Sequence, residues 1–78
     1  MEKTVDQFAA MFLGELCRMT GKVEGKIVNP EDVANNIELP KTEFHPVLEW
    51  LENRDLIWYS LVNELQVALT HEGVKRCR

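Results

Sequence analysis

Positive charge is scarce in this sequence: 9 Lys and Arg stand against 13 Asp and Glu, for a formal charge of −4. Residues 1–40 hold four basic and seven acidic side chains, residues 41–70 two and five, and residues 71–78 three and one. The only basic cluster is therefore Lys75, Arg76 and Arg78. A nucleic-acid binder normally gathers its cations on the docking face, so this balance works against phosphate binding elsewhere. Cysteine is sparse too. Cys17 and Cys77 are the only two, and neither has a Cys or His at the spacing of a zinc site. His45 and His71 are equally isolated, so no metal is expected. Nothing points to secretion, and two free thiols are expected, with a bridge from the first helix to the tail as the alternative.

Other absences narrow the class. No apolar run is long enough to span a bilayer. The opening Met1-Glu2-Lys3-Thr4-Val5-Asp6 lacks the basic-then-apolar layout of a signal peptide, and the expected compartment is the cytoplasm. There is no Ser/His/Asp set, glycine-rich phosphate loop or paired-carboxylate cleft. His45 and Glu49 lie four apart on one helix and read as a surface contact, not an acid–base pair. A non-enzymatic chain without a cofactor is expected. At 78 residues and 45% apolar content, it is one globular domain spanning 1–78, near the lower size limit for a single core.

Val5, Phe8, Ala9, Phe12, Leu16 and Met19 recur at three- and four-residue steps, which predicts an amphipathic helix over 5–20. Thr4 and Gln7 form its capping box and Gly21 its stop. Val23 to Lys26 reads as a loop and Ile27-Val28 as a stub of strand. Asn29 caps a short helix over 30–37, with Pro30 at its first position and Glu31 and Asp32 favoured by the helix dipole. A third helix over 41–54 buries Phe44, Val47, Leu48 and Leu51, with Pro46 tolerable in its first turn. Its opposite face carries Thr42, Pro46, Glu49 and Asn53, with His45 and Trp50 on the shoulders. Asp55 falls where a left-handed residue is needed. Strand formers then predict a hairpin pairing 57–62 with 65–70, with Leu65, Val67 and Leu69 inward and Gln66 and Ala68 outward. His71 onward reads as a short basic tail. The expected core is Phe12, Leu16, Val33, Ile37, Phe44, Leu48, Leu51, Ile57 and Leu69.

The order is helix, short helix, tight turn, helix and hairpin. The run from Leu39-Pro40-Lys41 through Phe44-His45-Pro46-Val47-Leu48-Glu49-Trp50-Leu51-Glu52 to Asp55-Leu56-Ile57 resembles the recognition-helix region of bacterial winged helix-turn-helix regulators of the PadR and MarR families. The aromatic-Pro pair is similar to the PadR pattern, and Leu69-Thr70-His71-Glu72-Gly73 resembles the Leu-Thr-x-x-Gly that ends the wing strand in both. The resemblance covers residues 29–74. It implies an α+β, mainly α fold, a three-helix bundle followed by a two-stranded antiparallel wing. It also implies a DNA-binding, transcription-regulating domain, with Lys41, Thr42, His45, Lys75 and Arg76 touching nucleic acid. Two departures stand out: Asp55 replaces the usual Gly, and the third helix shows phosphates Glu43, Glu49 and Glu52, which repel them. The alternative is a protein-interaction module, or a homodimer, using Trp50, Trp58 and Val62 as an apolar patch.

Overall fold

The computed structural model describes residues 4–77; Met1, Glu2, Lys3 and the tail cation Arg78 lie outside it. The elements run α1 (Val5–Thr20), α2 (Pro30–Asn36), a 3-10 turn (Lys41–Glu43), α3 (Phe44–Asn53), β1 (Ile57–Ser60), β2 (Gln66–Leu69) and α4 (His71–Arg76). This is a small α+β fold, mostly helical, with one antiparallel hairpin.

Local chemistry sets the helix ends. The Thr4 backbone N–H donates to Gln7 Oε1 at 3.0 Å, completing the box at the start of α1. Gly21 closes α1 at φ 65°, a conformation that costs glycine nothing. The Glu31 N–H donates to Asn29 Oδ1 at 2.8 Å, and Pro30 fills the first helical position, whose N–H would have been orphaned. The third helix starts later than its apolar pattern suggests, because Lys41–Glu43 tightens into the 3-10 turn. Pro46 is thereby third in α3, where no intrahelical N–H bond is lost.

Both α2 and α3 end in the same motif. The Leu39 N–H reaches the Ala34 carbonyl and the Glu38 N–H that of Asn35; the Leu56 N–H reaches Leu51 and the Asp55 N–H reaches Glu52. These paired bonds define a Schellman cap with a left-handed residue at its hinge. Glu38 (φ 55°) and Asp55 (φ 60°) occupy the hinges.

The hairpin is shorter than its strand formers predict: Ile57 pairs with Leu69, Trp58 with Ala68, Tyr59 with Val67 and Ser60 with Gln66. Its other flank is also covered. Val28 and Val67 exchange both backbone bonds, and the Gly25 N–H donates to the Leu69 carbonyl. β2 is therefore a central strand, held by β1 on one side and by the 25–28 segment on the other. This corrects the expected alternation: Ala68, read as outward, is buried, and Leu65 is only half-buried.

One core joins all layers, with Phe12 and Leu16 of α1, Val33 of α2, Val47, Leu48 and Leu51 of α3, and Ile57, Val67 and Leu69 of the hairpin buried together. Ile37 and Phe44, expected inside, are half-buried. Ile37 caps α2 and Phe44 opens α3, so each sits at the rim of the bundle.

Two further expectations are overturned at the C-terminal end. The basic tail is a helix, because Thr70 caps it by accepting the Gly73 N–H at 3.1 Å and donates its hydroxyl to the Asp55 carbonyl. With α4 docked, Cys77 returns to α1 and forms a disulfide with Cys17 across 60 residues, their Cα atoms 5.8 Å apart. Sequence spacing gave no hint of this closeness, since it depends on a helix that the tail was not expected to form.

Candidate functional site

The solvent face of α3 and its leading turn is the surface on which the sequence placed nucleic-acid contacts. Lys41, Thr42 and His45 are all exposed there. Lys41 is set by the 3-10 turn, and His45 stands edge-on to Phe44, ring centroids 5.8 Å apart. With Glu31, Asn35 and Leu39 they line an open cleft of about 320 Å³ between α2 and α3. Thr42 lies beside it.

Charge divides this face along its length. Lys41 is at its start, whereas Glu49 and Glu52 are exposed further along. Their field reaches the hairpin: burial first, then the charges of Glu52 and Glu49, push the Tyr59 phenol above its ordinary value. A phosphate approaching the second half of α3 meets the same repulsion.

The remaining predicted contacts do not join this cleft. Lys75 bonds Glu72 at 3.4 Å on α4. Arg76 lines a different groove, bounded by α1, α3 and α4. The expected nucleic-acid set is therefore split between two sites.

The apolar set is split as well. Trp50 is half-buried in the α1–α3–α4 groove, and the Arg54 guanidinium lies 3.6 Å from the centre of its ring. Trp58, 47% exposed, and Val62, 74% exposed, stand on the hairpin. Ile27, 51% exposed, belongs to the segment bonded to the far edge of β2. Antiparallel pairing about Val28 and Val67 sets Ile27 in line with Ala68 and, across it, Trp58. That row explains why Ala68 is covered although its face is the outer one.

Sequence reasoning missed the α1–α3–α4 groove entirely. Its volume is about 680 Å³. Ala10 and Gly14 on α1, four residues apart and both exposed, were its only sequence signal. Among the described residues, no three His, Cys, Asp or Glu side chains are grouped to hold a metal ion. None of the described helices is long and apolar enough to cross a membrane. No family model, curated protein or solved structure matches this chain.

Proposed function

We propose that the chain is a winged-helix domain of the transcription-regulator type, non-enzymatic, that docks on DNA through the leading end of α3. The observation that carries this reading is the solvent-facing trio Lys41, Thr42 and His45 at the start of the helix that follows the α2 turn. The two-stranded antiparallel hairpin that follows α3 supports the same reading, since it stands where the wing is expected. Recognition helices read base edges with their N-terminal residues, and Lys41 places positive charge at that end of α3, with Glu31 and Glu43 beside it and Glu49 and Glu52 further along. One copy offers few cations, so specific binding requires two copies presenting their α3 helices about 34 Å apart. Anisotropy of labelled duplex DNA at about 50 mM salt tests the reading. Weak, salt-sensitive binding is expected, with Lys41→Ala lowering the log–log salt slope by about one. Absence of binding at that salt, or binding indifferent to Lys41→Ala, overturns it.

A second reading, protein docking or self-association, is favoured by the exposure of Trp58, Val62 and Ile27 on the hairpin side. An aromatic anchor on such a patch dominates binding. Loss of self-association in Trp58→Ala, with no DNA binding by the parent chain, would promote this second reading over the first.

A further inference from the structure

The α1–α3–α4 groove has a composition at odds with the chain that contains it. Its floor is apolar, formed by Ala10, Leu13 and Gly14 of α1 with Leu51 and Leu56. Trp50 closes one side, and the Cys17–Cys77 disulfide fastens the α4 wall to α1. Around this floor stand Arg18, Lys22 and Arg76, with no carboxylate among the described lining residues. Three cations thus converge on one groove in a chain of net charge −4. Arg18 shares its charge with Glu15, which is turned toward Asn36 of α2. Among the described residues, Lys22 and Arg76 have no acidic partner within salt-bridge distance.

An apolar floor with a positive rim selects an occupant with a matching division. The tail must be hydrocarbon and the head a small anion able to take bonds from guanidinium and ammonium groups. The groove volume lies within the range of small-molecule sites, about 300–1,000 Å³. We propose that this groove binds a free anionic amphiphile, a medium-chain fatty carboxylate, with its alkyl chain along Ala10, Gly14 and Leu51 and its carboxylate at Lys22 and Arg76. Gly14 supplies the room: a Cβ built there meets no atom within 4 Å. The site shares no residue with Lys41, Thr42 or His45, so its test does not depend on DNA docking at the leading end of α3.

Trp50 is a built-in reporter. In a Trp58→Phe background it is the only indole, and its emission is followed while dodecanoate is added below its micelle concentration. A saturable change is expected that weakens as salt is raised. Shortening the chain should cost roughly two- to fourfold in affinity per methylene removed. Dodecanol should bind at least about tenfold more weakly, and dodecyltrimethylammonium should not compete. Gly14→Leu should abolish binding by filling the groove. That variant is expected to fold, because leucine favours the helix interior over glycine and finds open space. Arg76→Glu, a surface change, should reduce affinity about tenfold and flatten the salt dependence. Equal binding of dodecanol and dodecanoate would overturn the proposal. So would unchanged binding in Gly14→Leu, or capture by anionic lipid vesicles without any response to free dodecanoate.

Discussion

At the scale of single residues, two acidic side chains stand where the backbone favours glycine. Glu38 and Asp55 each hold the left-handed hinge of a Schellman cap. A Cβ is penalised there and glycine is not. Asp55→Gly should therefore raise stability by up to about 1 kcal/mol in a denaturant titration. Gly73 is the opposite case. A Cβ at that position would lie 2.0 Å from the Leu56 carbonyl oxygen, a backbone atom that cannot turn aside. Gly73→Ala should cost about 3 kcal/mol, the upper end of ordinary overpacking. Leu48, fully buried in α3, should cost about 2–5 kcal/mol on truncation to Ala. Glu15 contributes to acid behaviour: bonds from Arg18 and then Asn36 hold its carboxyl below the ordinary value of 4.5. Its folded pKa is depressed, so its stabilising contribution is present above the ordinary value and is lost as pH falls through the lowered one. Thermal melts from neutral pH downward should show Glu15→Gln losing less stability than the parent across that window.

Among the elements, α4 depends most on the rest of the fold. Six residues make too few turns to persist alone. Three attachments hold it: the Thr70 side chain caps it and reaches Asp55, Gly73 abuts Leu56, and Cys77 is joined to Cys17. The Leu-Thr-x-x-Gly run acquires a physical reason from this, since Thr provides the cap and Gly the close approach. A bridge closing so long a loop restricts the unfolded chain and typically contributes about 2–4 kcal/mol. Reduction, or Cys17→Ser with Cys77→Ser, should lower the unfolding free energy from a denaturant titration by that amount while α1 to β2 keep their helix and strand signals.

For the whole molecule, charge is arranged by side. The second half of α3 is acidic, and the cations Arg18, Lys22 and Arg76 lie around the groove bounded by α1, α3 and α4. A −4 total conceals this polarity. Any DNA affinity should consequently be small per copy and fall steeply with salt, with a log–log slope near 0.9 per phosphate contacted. Measured slopes for Lys41→Ala and Arg76→Glu separate the two sides. A change in the first alone places DNA at the leading end of α3, whereas a change in the second alone places it at the groove that Arg76 lines.

The sequence by itself determined the elements whose signals are local. Periodicity gave α1 and the buried stripe of α3, Thr4 and Asn29 marked two helix starts, and Asp55 marked a left-handed hinge. These follow from contacts within a few residues, which periodicity and capping record directly. Lys41, Thr42 and His45 could be read as neighbours for the same reason: one turn and one helix face hold them. Tertiary structure alone decided the rest. Ala68 is buried because the 25–28 segment covers the far edge of β2, a pairing across about forty residues that no alternation along β2 could reveal. The tail became α4 only with Asp55 and Leu56 there to receive it, and only then did Cys77 meet Cys17. The cationic groove exists for the same reason, since Arg76 of α4 lies far along the chain from Arg18 and Lys22 at the end of α1. Long-range packing brings them together, and local pattern carries no information about it.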